Sequence, residues 1–209
     1  FFNGPADSII KNVVVRYSSD GFYFGKTRVV MDDVEFLEVG TGVSVSGSIL
    51  NASDLRFLNI YNAAFDIGFG SDVRLENSKI SNDLWQAITV YKSKLAVDGL
   101  VVDNQGIDYA IIAADNSIVT IASSTFNGGL DGGIGAFYFS SVSISSSTSK
   151  NFVEEGFYIA DGSRLTIDNS SVQGNENGII LANNCEGCFP FYKEKYRSFL
   201  TARGNAITY

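Results

Sequence analysis

The chain contains no histidine, two cysteines, two prolines and one methionine, and each scarcity removes a class of chemistry. Without histidine there is no Ser-His or Cys-His nucleophile pair and no His-ligated zinc or haem. Any catalysis would run on carboxylates, Tyr, Lys or Arg, and no cofactor or metal is expected. No apolar run approaches the roughly 18 residues needed to cross a bilayer. Cations are outnumbered by acids, giving a net charge of −8 and a pI near 4.5. That balance disfavours nucleic acid and anionic membranes as partners. What the 209 residues do hold is 45% hydrophobic side chains, enough to bury a core, and 21 glycines to punctuate it.

The chain begins at Phe1 with no charged n-region before an apolar stretch, so a processed protein, or a piece of one, is expected. Asn51-Ala-Ser53 and Asn169-Ser-Ser171 are glycosylation acceptors that suit an exported protein. Cys185 and Cys188, spaced Cys-Glu-Gly-Cys, could be a short-loop disulfide, half of a metal site or two thiols. A lone pair cannot make a four-thiolate zinc site, and the disulfide is the expectation.

One pattern repeats along almost the whole chain: apolar, any, apolar, two turn residues, small or apolar, any, apolar. Its markers are Ile10, Met31, Ala52, Leu75, Val97, Ile121, Ile144 and Ile167, a period of about 22 to 23 residues. A third alternating segment follows in each copy: 22–24, 43–45, 65–67, 88–90, 110–112, 136–139, 157–159 and 179–181. Period-two alternation is a strand signal. Between the first two strands stand Asn12, Asp33, Asp54, Asn77, Gly99, Ser123, Ser146 and Asn169, residue types suited to sharp corners.

Three strands per repeat, each stacked on its predecessor at about 4.8 Å, make a parallel β-solenoid. Roughly eight coils would form a rod of about 40 Å. The pattern over residues 5–182 resembles the right-handed parallel β-helix family in the style of pectate-lyase-like repeats. The strings Asp131-Gly-Gly-Ile134 and Gly204-Asn-Ala-Ile207 are similar to those of bacterial and eukaryotic surface β-helix repeats. The fold expectation is all-β, with the helix over 1–182. Residues 183–209 should hold an irregular Cys-containing insertion and the start of a further coil, with 206–209 as a third strand. Neither end shows an obvious cap, so continuation or contact with other subunits is expected.

The resemblance implies where a site would lie: the outward side of the third strand. Alternation places Tyr23, Ser44, Asp66, Thr89, Ile111, Tyr138, Tyr158 and Ile180 there. Asp66 is the row's one carboxylate. If the chain is an enzyme, Asp66 would work with Asp83 or Asp108 as a general acid and base pair. Tyr23, Asp66, Tyr138 and Tyr158 are the candidate ligand contacts, the tyrosines stacking on sugar rings. Against catalysis, the Gly-His-Gly, Arg-x-Pro-x-x-Arg and Asp-Pro-His signatures of polygalacturonases, pectate lyases and alginate epimerases are missing. The loop acids Asp20, Asp131, Glu154 and Glu155 read most simply as solvated charge. The leading expectation is a non-catalytic module of an extracellular or cell-surface fibre or adhesin, partnered by other subunits and possibly glycans. The alternative is a carbohydrate-active β-helix or a glycan-binding adhesin.

Overall fold

A computed structural model describes residues 1–4, 7–82, 85–103, 108–182 and 198–208. Every regular element among them is a strand, and every pairing between strands is parallel. The chain winds through three faces. The first face comprises Asp7–Arg16, Arg28–Leu37, Ile49–Ser53, Asp72–Glu76, Lys94–Asp98, Ile118–Ala122, Ser141–Ser145, Arg164–Asp168 and Phe199–Arg203. Asp7–Arg16 and Arg28–Leu37 run on round the first corner into the second face. That face continues with Arg56–Leu58, Lys79–Ser81, Val101–Asp103, Thr125–Gly129, Thr148–Phe152, Ser171–Gln173 and Ala206–Thr208. The third face stacks nine strands, from Phe2–Asn3 through Asp20–Gly25, Thr41–Ser46, Ala63–Gly68, Gln86–Tyr91, Ile111–Ala114, Gly132–Ala136 and Glu155–Ile159 to Asn177–Leu181.

The corner residues do what their chemistry allows. Asn12, Asp33, Asp54, Asn77, Gly99, Ser123, Ser146 and Asn169 all have positive φ, between 47° and 70°. Side-chain amides and carboxylates tolerate that left-handed backbone, and Gly99 meets no Cβ penalty. Inside, other apolar positions of the repeat stack in columns: Val29, Leu50, Val73, Leu95, Val119, Val142 and Leu165 on the first face, with Phe36, Phe57, Ile80, Val102, Phe126 and Val172 on the second. Phe36 and Phe57 stack with ring centroids 4.6 Å apart and planes 1° from parallel.

Two further columns explain why three faces close around so thin a core. On the third face, register aligns Gly21, Gly42, Ala64, Ala87, Ala110, Gly133, Gly156 and Gly178. A Cβ on Gly42 would sit 2.5 Å from the Phe57 ring, and one on Gly156 2.3 Å from Val172 Cγ1. The small column is therefore the space into which the second face packs. At the corner between the third and first faces, buried hydroxyls stack. The backbone N–H groups of Thr27, Ser48, Ser71, Ser93, Ser117 and Ser140 each donate to the hydroxyl one coil on, at 3.1–3.4 Å, ending at Ser163. A second ladder at the first corner runs Leu100, Ser124, Ser147 and Ser170, finishing on Asn205 Oδ1 at 3.0 Å.

Three expectations are corrected. The third-face strand of the sixth coil is Gly132–Ala136, not 136–139, because Ile134 pairs with Ile111 and continues the apolar column. Ile111 accordingly points inward, fully buried, and Ile112 takes its outward place. Ala206–Thr208 pairs with Ser171–Gln173 on the second face, so Leu200-x-Ala202 with Asn205-x-Ile207 is a ninth copy of the repeat.

Candidate functional site

Register fixes the outward row of the third face as Tyr23, Ser44, Asp66, Thr89, Ile112, Gly135, Tyr158 and Ile180. Tyr23 and Tyr158 are six coils apart, about 29 Å. Tyr23 stacks on Phe1 at 4.6 Å beside a shallow hollow of about 350 Å³ lined by Asp20 and Ser44. Asp66 lies between Ser44 and Thr89, and partial burial raises its carboxyl above the usual range. Tyr138 lies in the turn that follows the row, with φ 51° and 57% of its surface exposed. Asp83 falls outside the described residues. Asp108 is two coils and four strand positions from Asp66, a backbone separation of about 16 Å. A polar relay does run that way: Thr89 Oγ1 donates to Gln86 Oε1 at 2.9 Å, and Gln86 Nε2 donates to Asp108 Oδ2 at 2.5 Å.

The structure gathers a different set of groups around the fifth to seventh coils. Tyr109 packs over Gly132, where a Cβ would stand 2.5 Å from its ring, and its hydroxyl donates to Glu155 Oε1 two coils on. Phe137 lies over Gly135 in the same way. The three rings of Tyr109, Phe137 and Tyr158 meet at centroid distances of 5.7–6.4 Å as an aromatic cluster, Tyr109 edge-on to Phe137 at 76° and Tyr158 tilted from both. Glu155 is only 4% exposed. Burial raises its carboxyl, the Tyr109 phenol draws it back down, and the charges of Glu154 and Asp131 push it up. Burial, then the bond to Glu155, pushes the Tyr109 phenol far above its ordinary value, so it stays protonated.

Beside this cluster, at the corner between the second and third faces, stands a column of acids. The pairing of Ile111 with Ile134, of Gly132 with Glu155 and of Glu155 with Asn177 puts Asp108, Asp131, Glu154 and Glu176 at one register on four successive coils. Burial raises the Asp131 carboxyl, and the charges of Asp108 and Glu154 together with a hydrogen bond to Asp108 raise it further. None of the three ion pairs among the described residues includes a member of this column. Among the described residues no three acids converge as metal ligands, since a column spreads its oxygens along the axis. The column was visible as spacings of 23, 23 and 22, the repeat period itself. Glu176 was missed because loop positions carry no apolar marker to index them.

Apolar ridges flank the row on both sides. Tyr61, Trp85, Leu130 and Val153 are exposed along the acid corner, with Trp85 next below Asp108 in the column. Phe69 and Tyr91, in edge contact at 6.0 Å, and then Tyr138 mark the opposite corner, where Lys92 pairs with Asp115 at 3.0 Å and lies over the Tyr91 ring. The outward row of the third face is thus flanked at both corners by exposed apolar side chains.

Of the remaining sequence candidates, Cys185 and Cys188 lie outside the described residues. Asn51 projects from the middle of the first face, exposed, between Val30 and Arg74. Asn169 occupies a corner, where a Cβ on Gly204 would meet its Oδ1 at 2.5 Å.

Comparison with known proteins gives three findings. The family model described as "Right handed beta helix region" matches residues 41–189. No curated protein matches the chain. Among solved structures, the A-module of a mannuronan C-5 epimerase from Azotobacter vinelandii is similar, with 11% sequence identity over 97% of this chain and 79% of that one and a TM-score of 0.49.

Proposed function

Because the chain belongs to the right-handed β-helix family, whose stacked coils present side chains at a fixed axial spacing, we propose that its third face binds a polysaccharide strand lying along the rod axis. The observation that carries this reading is the partly exposed aromatic cluster of Tyr109, Phe137 and Tyr158, packed against Gly132 and Gly135. Aromatic rings stack on the apolar faces of sugars. Ser44, Asp66, Thr89 and Gln86 add hydroxyl, carboxylate and amide groups along the same line. Shallow side chains on a stacked sheet suit an extended polymer better than a small molecule, which needs a deep concavity.

The reading is of binding without turnover. Glycoside hydrolysis needs two carboxylates about 5–9.5 Å apart across the scissile bond. The Asp66 and Asp108 backbones stand about 16 Å apart, with Thr89 and Gln86 between them, and Asp108 and Asp131 sit on successive coils about 4.8 Å apart. The module would act as a stiff, glycan-binding segment of an exported surface or fibre protein, a setting that the exposed Asn51 sequon suits.

Affinity electrophoresis through gels containing different polysaccharides tests this. Retardation by at least one polymer should weaken about tenfold in the double variant Phe137→Ala, Tyr158→Ala, and be unchanged in Val30→Ser on the first face. Equal loss in both variants, or no retardation by any polymer, would refute the reading.

A further inference from the structure

The first face stacks its strands residue on residue, so its outward side chains form three columns along the rod. One outer column runs from Asp7 through Arg28, Lys94 and Arg164 to Phe199, and the other from Lys11 through Asp32, Asp98 and Asp168 to Arg203. At each of those coils but the last the two columns carry opposite charges. The central column opens with Ile9 and Val30 and passes to the small or hydroxyl side chains of Ala96, Thr120, Ser143 and Thr166. Ile9, Val30, Ile49, Ile118 and Phe199 all stand exposed on this face. Within one copy the ion pairs here are Lys11 with Asp32 at 3.1 Å and Arg74 with Glu76 at 2.6 Å. Asp7, Arg28, Lys94, Asp98, Arg164 and Asp168 have no ion-pair partner among the described residues.

We propose that the first face binds a second copy of this chain, the two rods lying parallel and face to face about a two-fold axis along their length. That operation reverses strand direction and keeps coil height, so each outer column meets the opposite outer column of the other copy. Asp7 then faces Lys11 of the other copy, Arg28 faces Asp32, Lys94 faces Asp98 and Arg164 faces Asp168. Ile9 and Val30 meet their own counterparts, and Phe199 offers its ring to the other copy's Arg203. At the one coil where acid meets acid, Asp72 against Glu76, Arg74 of each copy stands between them. The antiparallel arrangement fails on the same columns. Turning one rod end over end sets Arg28 against Arg164, Lys11 against Arg203 and Asp32 against Asp168, with Lys94 and Asp98 each against itself, and like-charge juxtaposition rejects a wrong arrangement. The small central side chains let the sheets approach to about 10 Å. Five residues across and nine strands along give a face about 17 Å by about 43 Å. Two such faces bury about 1,500 Å², the size of a specific interface.

The third face takes no part in this contact, so the proposal stands apart from the glycan reading. Asn51 lies in the central column, where a sugar would part the two faces, and the test therefore uses the chain made without N-glycosylation. Sedimentation velocity at tens of micromolar should show a species of twice 22.6 kDa. The variant Lys94→Asp, Arg164→Asp sets acid against acid at two coils and should weaken association at least tenfold. Adding Asp98→Lys and Asp168→Arg to it restores opposite signs across the contact and should restore the dimer, which a loss of folding would not allow. Thr166→Cys reports the orientation. A short bis-maleimide should join two copies through it, above the background that Cys185 and Cys188 set in wild type, whereas end-over-end packing would leave the two sites about 29 Å apart. A monomer at every concentration, a dimer indifferent to the charge change or not recovered by the swap, or no cross-link through position 166 would overturn the proposal.

Discussion

The buried serine ladder makes a sharp prediction at Ser117. Its hydroxyl is fully buried, donates its one proton to a backbone carbonyl (Ala114 O lies at 2.6 Å) and accepts the Ser93 N–H at 3.3 Å. Ser117→Ala removes both. Ala114 O keeps the Lys92 N–H at 3.3 Å, so that loss is partial. The Ser93 N–H loses the acceptor it has in the ladder, in a place with no solvent. An orphaned buried donor costs about 1–3 kcal/mol. For a chain of this length each kcal/mol lowers Tm by about 2–4 °C. Ser117→Ala should therefore melt about 2–12 °C below wild type, read by circular dichroism alongside the urea midpoint. Ser143→Ala, a serine exposed on the first face, serves as control and should shift stability by less than about 0.5 kcal/mol. Hydrogen exchange gives the local readout: the Ser93 amide should lose protection in Ser117→Ala more than the Ser140 amide does. If Ser117→Ala is as silent as Ser143→Ala, the stacked hydroxyls do not hold the corner, and the argument from unsatisfied donors fails here.

The other expectations follow from the same geometry. Gly156→Ala should cost about 1–3 kcal/mol by forcing a Cβ against Val172 and Gly178, while Gly68→Ala, whose nearest neighbour would be 4.0 Å away, should be close to neutral in the same denaturation assay. Tyr109→Phe leaves the Glu155 carboxylate without its phenol donor and should destabilise by about 1–3 kcal/mol at neutral pH, less in mild acid where Glu155 is protonated. The carboxyls of Asp66, Asp131, Glu155 and Asp161 are raised, first by burial, so the folded chain holds protons that the unfolded chain releases. Their contribution is present below the ordinary carboxylate pKa of about 4 and is lost as pH climbs through the raised values. Asp32 and Asp115 are lowered by hydrogen bonds from Ser53 and Lys92 and act the other way, losing their contribution as pH falls below the usual range. Thermal melts across pH should show a maximum in mild acid, and a curve that keeps rising to pH 8 would contradict these shifts.

The repeat was legible because burial writes itself into the chain as a period. Ile10, Met31, Ala52 and Leu75 recur where one wall of the core needs an apolar side chain, and Asn12, Asp33, Asp54 and Asn77 recur where the backbone must turn left-handed. Those two signals gave the strands, the corners and the parallel stack. They failed where an apolar run outlasted its strand. Ala136-Phe-Tyr-Phe139 reads as a strand by composition, yet Phe137 lies on the outer surface over Gly135, and pairing starts four residues earlier at Gly132. The ninth copy was hidden because residues 183–197 interrupt the period.

Sequence alone determined what each coil must bury and where it must bend, since those demands act on single residues and their near neighbours. Only the tertiary structure decided which outward groups meet. Asp108, Asp131, Glu154 and Glu176 become a column, and Tyr109 reaches Glu155 across 46 residues, because register aligns loops of unequal length and Gly132 leaves room for a ring to cross. Such contacts lie between coils, and no local pattern of hydrophobicity encodes them.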